Sequence, residues 1–218
     1  MQLIELQSVY DDRKAKPTEH CVSDQITEWL TAAIAGDDEA FTHIVDMYQT
    51  NIYNLCYRML GTPQEAEDAS QEAFWRAYQS LRKYDPKRSF ITWLLSIAAH
   101  YCIDQQRKRK FLSFSIDTLL EDNLPSTLPD PESIINQTEK EKYIQNMLSG
   151  LTSKDRAIVI MRYWYEFSEN EIAESLSIST SAVKSRLHRA RKILAHKWHD
   201  HNGQNLHTER IQNETSTI

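Results

Sequence analysis

From Ser175 to His199 the chain has no aspartate or glutamate, yet Lys184, Arg186, Arg189, Arg191, Lys192 and Lys197 all fall there. Cations without counter-charges can neutralise phosphates, and arginine or lysine on a helix can also read guanine in a major groove. The flanking residues supply such a helix. Ser168-Glu169-Asn170-Glu171 reads as a capping box opening a short helix, with Ile172, Ala173 and Leu176 inward. After the turn Ser177-Ile178-Ser179, a longer helix puts Val183, Leu187, Ala190 and Leu194 on one stripe. Two short helices on a tight turn, the second strongly basic, make a helix-turn-helix. Its outer face offers Ser181, Lys184, Ser185, Arg186, His188 and Arg189. At about 100° per residue, Ser185, His188 and Arg189 share a face with Ser181 one turn earlier. Lys184 lies close to that face, and Arg186 sits at its flank, where a phosphate contact is expected. The plain alternative is a solvated basic helix packing a hairpin.

A second cluster, Arg107-Lys108-Arg109-Lys110, closes another helix. The helix dipole alone favours cations there, and phosphate contact is the functional reading. Aromatics surround the loop Tyr84-Asp85-Pro86-Lys87-Arg88: Phe74, Trp75, Tyr78, Phe90, Trp93 and Tyr101. Phe74, Phe90 and Trp93 lie on apolar stripes and are expected in the core. Tyr84, Lys87 and Arg88 are the candidates for contact with an unpaired strand. Glu65, Glu67, Asp68, Gln71 and Glu72 crowd one helix. With no partner histidine or nucleophile pattern, they read as a protein-contact surface rather than as acid–base chemistry. His196, His199 and His201 read as a solvated tail, so no metal site is expected. No P-loop, GxGxxG, GxSxG or HExxH occurs, which gives no support to an enzyme and implies no cofactor.

These residues need helices to hold them. Glycine occurs four times in 218 residues and strand-like alternation is absent, so the expected fold is all-α. Phe41, Ile44, Val45, Tyr48, Ile52, Leu55, Cys56 and Met59 recur at steps of three and four, and Gly61 supplies a left-handed stop. Thr62-Pro63-Gln64-Glu65 restarts the chain as a capped helix whose buried face is rich in alanine. Ser89 caps a helix that runs to Lys110. Prolines at 125, 129 and 131 among acids mark a flexible linker. Asp130-Pro131 opens a helix ending at Gly150, and Thr152-Ser153-Lys154-Asp155 caps the next. The expected organisation is an N-terminal extension over 1–23, a helical domain over 24–110, a linker over 111–130, a second helical domain over 131–198 and a disordered tail over 199–218.

The net charge of −6 suits a nucleic-acid binder only because it is unevenly spread, with acids at Asp117, Glu121, Asp122, Asp130 and Glu132. No apolar stretch reaches the roughly 18 residues of a spanning helix, and Met1 to Glu28 lacks the apolar core of a secretory signal. Three scattered cysteines fit a reducing cytoplasm.

Two segments resemble one family. Gly36-Asp37-Asp-Glu-Ala40-Phe41, Asp68-Ala-Ser-Gln71-Glu72-Ala-Phe74 and Ser89-Phe90-Ile-Thr92-Trp93-Leu94-Leu-Ser-Ile97-Ala98 resemble region 2 of extracytoplasmic-function (ECF) sigma factors of the sigma-70 family. Leu151 to Arg162, Phe167 to Ala173 and Val183 to Arg191 resemble region 4. The resemblance implies a transcription initiation factor that binds core RNA polymerase, through its β′ clamp helices and β flap, and directs it to promoter DNA. Asp68, Gln71 and Glu72 fall where the family meets polymerase. Tyr84, Lys87 and Arg88, with His100, Asp104, Arg107 and Lys108, fall where it opens and reads the minus-ten element. The second helix of the helix-turn-helix falls where the family reads the minus-thirty-five element. An anti-sigma factor, commonly membrane-anchored, is an implied partner; the chain itself would be cytoplasmic and not inserted in the membrane. A stand-alone regulator binding an operator without polymerase is the alternative. Ala99-His100 stands where an Arg-Asn pair is common in the family. Ser177 replaces the usual turn glycine and is expected to carry a positive φ or to shift the turn.

Overall fold

The computed structural model describes residues 19–117 and 139–215, with side chains over 25–111 and 141–199. Eight α-helices follow in order: α1 Glu19–Ala35, α2 Asp38–Leu60, α3 Pro63–Ser80, α4 Phe90–Asp117, α5 Glu139–Ser149, α6 Ser153–Trp164, α7 Glu169–Ser175 and α8 Thr180–Thr215. A 3-10 turn at Leu81–Lys83 precedes the loop before α4. No strand occurs among the described residues.

Local chemistry fixes the boundaries. Gly36 takes φ +106° and frees the chain to turn into α2, where Asp37 accepts from the amides of Glu39 and Ala40 at 2.9 and 3.1 Å. Gly61, at φ +96°, donates its amide to Tyr57 O and ends α2. Thr62, Thr152 and Ser168 cap α3, α6 and α7. At Ser168 the box is reciprocal: the Glu171 amide donates to Ser168 Oγ at 3.2 Å, and Glu171 Oε2 accepts from the Ser168 amide at 2.8 Å.

The N-terminal bundle packs α2, α3 and α4 together, with α1 laid on α2. Its centre is Ile44, Ile52, Leu55 and Met59 against Leu94 and Leu95. Ala66, Ala69, Ala73 and Ala77 form a small-residue stripe on α3 that lets its backbone come close. Each large aliphatic side chain so buried contributes about 1.5–3 kcal/mol. Ala99 is fully buried in this core, so of the Ala99-His100 pair only His100 is outside. The C-terminal bundle closes over Leu148, Ile158, Ile160, Met161, Ile172 and Leu187.

Two boundaries and one packing relation differ from the sequence reading. Helix α4 does not stop at Lys110 but continues to Asp117, because Phe111-Leu-Ser-Phe-Ser-Ile-Asp117 holds no proline or glycine to break it. Helix α8 runs to Thr215, so the backbone that was expected to lose order at His199 is helical. The bundles are also not merely tethered: α6 lies against α2 and α4, and α7 touches α4. The remainder of the expected linker and the start expected at Asp130-Pro131 lie outside the described residues.

Candidate nucleic-acid and protein-docking surfaces

Helices α2 and α3 leave a groove of about 900 Å³ between their outer faces. Its walls are apolar, from Phe41, Val45, Phe74 and Trp75, and acids Asp38 and Glu67 stand at its edge. Gln71 lines it too. Asp68, Gln71, Glu72 and Trp75 are spaced i, i+3, i+4 and i+7, which puts them on one helix face. Glu72 is steadied by Arg76 at 2.7 Å, whose guanidinium lies 4.8 Å from the Tyr101 ring centre. Trp75 is 56% exposed, an unusual setting for the largest apolar side chain. Sequence reasoning grouped Trp75 with the loop aromatics; its position seven residues after Asp68 was the signal that it belongs to the acidic face. Tyr78 closes one end. Its hydroxyl donates to Asp38 Oδ1 at 2.5 Å, and that bond keeps the phenol protonated beyond its ordinary range.

The loop before α4 is braced rather than open. Tyr84 stacks edge-on against Phe90 at 5.3 Å and donates its hydroxyl to Arg88 O at 2.5 Å. Burial, then Asp85, pushes its pKa up. Tyr84 therefore shapes the loop, while the Lys87 side chain is exposed at its tip. Arg88 is ion-paired with Glu174 of α7. Further along α4, His100, Arg107 and Lys108 are exposed and Asp104 half-exposed. They sit at steps of four and three, so one side of the helix presents them together. Arg107 pairs with Asp104 at 3.2 Å, and Arg109 is drawn away to Glu65.

In the helix-turn-helix, Val183, Leu187, Ala190 and Leu194 are all buried, which fixes the rotation of α8. Ser181, Lys184, Ser185, His188 and Arg189 are exposed together on the far side. Lys184 has a loose pair in Glu169 at 3.7 Å. Arg186 is not free for a phosphate. Its Nη1 donates to Oδ1 of fully buried Asp155 at 2.8 Å. Asp155 Oδ2 in turn accepts from the Thr152 hydroxyl at 2.7 Å. Sequence reasoning saw Asp155 only as part of a cap and missed its second role. Ser177 takes φ +53°, the left-handed turn expected of it.

Among the described residues no group of three histidine, cysteine or acidic side chains is placed to hold a metal, and no helix is long and apolar enough to cross a membrane.

Two family models match this chain, sigma-70 region 2 over residues 44–111 and sigma-70 region 4 over residues 141–194. Among curated proteins, the ECF RNA polymerase sigma factor SigW of Bacillus subtilis is 39% identical over 173 residues, covering 76% of this chain and 92% of that protein. The chain belongs to the ECF sigma factors of the sigma-70 family. SigE of Mycolicibacterium smegmatis, also an ECF sigma factor, is 30% identical over 79% of this chain and 68% of its own length. In fold, this sigma factor is similar to CnrH in complex with the cytosolic domain of CnrY, with TM-score 0.58 at 22% identity over 80% of this chain and 97% of that one. It is also similar to the sigma factor RpoE bound to the anti-sigma factor NepR from Bartonella quintana, with TM-score 0.55 at 19% identity over 71% and 93%. As a sigma factor the chain is a transcription initiation factor, and the reading as a stand-alone operator-binding regulator is set aside. Sigma factors are not enzymes.

Proposed function

We propose that this sigma factor docks core RNA polymerase through the α2–α3 groove, with Asp68, Gln71 and Glu72 at its acidic side and Trp75 as the apolar anchor. The observation that carries this is the coincidence, on one helix face, of an exposed tryptophan and carboxylates beside a ready-made groove. An exposed aromatic of that kind is the usual centre of a binding interface, and acids around it favour a basic partner. The β′ clamp helices are that partner, and the C-terminal bundle meets the β flap. Lys87 at the loop tip and His100, Asp104, Arg107 and Lys108 on α4 form the minus-ten surface, with Tyr84 holding the loop and Arg88 joining it once freed from Glu174. Helix α8 reads the minus-thirty-five element through Ser185, His188 and Arg189, with Ser181 and Lys184 beside them, while Arg186 positions the helix. In domain terms, 24–110 carries polymerase and minus-ten binding, and 131–198 carries minus-thirty-five binding. The factor works in the cytoplasm, and an anti-sigma factor is its further partner, the kind of protein with which RpoE stands in complex. In vitro transcription on genomic DNA, with core polymerase alone and with this chain added, tests the reading. New discrete start sites only in the presence of the chain are expected; an unchanged start-site profile overturns it.

A further inference from the structure

The residues ahead of α1 carry a pattern that the sigma-factor assignment leaves unused. Leu3, Leu6 and Tyr10 recur at i, i+3 and i+7, with Val9 at their flank and no proline or glycine before Pro17. On a helix of about 100° per residue those three share one stripe. Arg13 and Lys14 fall about 50° to either side of that stripe, whereas Glu5, Asp11 and Asp12 fall more than about 100° from it. The segment is thus an apolar strip flanked by cations at its C-terminal end. The α2–α3 groove is its complement. Phe41, Val45, Phe74 and Trp75 give it apolar walls, and no lysine, arginine or histidine lines it. Only Gly61 and Thr62 join α2 to α3, so the two helices run antiparallel. Glu67 therefore stands at the turn end of the groove and Asp38 at the other.

We propose that residues 3–14 dock as a helix in the α2–α3 groove and compete there with core polymerase. The competition, though not the docking, rests on the reading of the groove as the polymerase site. Length fits first: twelve residues of helix measure about 18 Å, the same as the stretch of α3 from Glu67 to Tyr78 that lines the groove. The point of entry fits next. Trp29 stacks on His43 at 5.0 Å, each seven residues from Gly36, so α1 runs back along α2. The same register brings Glu19 level with Tyr53, which lines the groove near its Glu67 end. From the His43 side of α2 to its Thr42 and Val45 side is about one helix diameter, roughly 10–12 Å. Residues 15–18 reach up to about 14 Å, and Pro17 disfavours helix at Lys16, which places the corner there. Charge then agrees at both ends. A segment entering beside Tyr53 brings Arg13 and Lys14 to Glu67 and turns the positive, N-terminal pole of its helix toward Asp38. Last, docking covers Trp75, which a chain apart from polymerase otherwise leaves 56% exposed.

The test uses the full chain with Gln7→Cys and Gln49→Cys in a Cys21→Ser background; the native Cys56 and Cys102 are buried, and Gln49 is exposed. A short bis-maleimide should join the two sites rapidly within one chain in dilute solution. Leu3→Asp combined with Leu6→Asp should slow that joining at least tenfold, and so should an excess of core polymerase. Without the cysteines, the same pair of aspartates should tighten capture of core polymerase at least threefold, a gain that an unfolded variant could not show. Joining that is slow in the parent chain, or equally fast with the aspartates, overturns the inference. Joining only between two chains also overturns it and makes a second copy the occupant of the groove. If the aspartates abolish joining but polymerase neither slows it nor binds the variant more tightly, the competition fails together with the polymerase reading of the groove, and the docking stands.

Discussion

Arg186 on the recognition helix and Asp155 on the first turn of α6 form an ion pair of 2.8 Å across 31 residues of sequence, with the carboxylate fully buried. The pair ties the rotation of α8 to a capped helix start elsewhere in the bundle. Removing one member leaves a charge in a site that excludes water, a loss of about 3–5 kcal/mol by the usual cost of an orphaned buried ion. Arg186→Ala should therefore lower the melting temperature of the full chain. Asp155→Asn, which keeps hydrogen-bonding capacity, should cost less. Thermal unfolding followed by circular dichroism measures both, and an unchanged Tm for Arg186→Ala would return Arg186 to the phosphate-contact role.

For the polymerase face, Trp75→Ala should weaken capture of core polymerase by about 2–4 kcal/mol, the range of an interface hot spot, without loss of helicity. Reversing charge at Asp68 and Glu72 together should abolish capture. A pull-down from purified components that shows wild-type affinity for Trp75→Ala removes the groove from the interface.

The reading face of α8 separates two kinds of contact. Arg189→Ala should cost about 1–3 kcal/mol and relax preference at one upstream base pair. Lys184→Ala should weaken all upstream sequences alike and lower the salt slope by about 1. Holoenzyme binding to upstream-element variants across salt concentrations distinguishes them; equal weakening of every variant by Arg189→Ala would make that residue a backbone contact.

At the helix-turn-helix corner, Ser177 holds φ +53°, where a Cβ costs about 1–2 kcal/mol and glycine costs nothing comparable. Ser177→Gly should raise stability by about 1 kcal/mol despite glycine's greater freedom when unfolded, and Ser177→Val should lower it. Chemical denaturation reads the sign directly.

What the sequence made legible was local. Capping at Thr62, Thr152 and Ser168, the stop at Gly61 and the Val183-Leu187-Ala190-Leu194 stripe all act over four residues or fewer between partners, so their spacing betrays them. The pairs Asp155–Arg186 and Arg88–Glu174 leave no such trace, because nothing periodic connects residues joined only by the folded chain. The same holds for Arg156 and Met59, 97 residues apart. Charge on an exposed helix face says that a residue is available, and only the three-dimensional packing says whether a neighbour has already claimed it. Arg186 and Arg88 were read as available and are claimed; Trp75 was read with the wrong neighbours because its face is set by α2, not by the loop nearest in sequence.

The carbonyl of Met59 accepts from two donors at once, Arg156 of the opposite bundle and Gln106 of its own. Tyr57 O is likewise shared, between Gln145 of α5 in the C-terminal bundle and the Gly61 amide at 2.9 Å within its own helix end. Each acceptor thus joins its own bundle to the other at a single oxygen. Both lone pairs of each carbonyl are spent, so the C-terminal end of α2 is a fixed point of the fold, held from two sides at once.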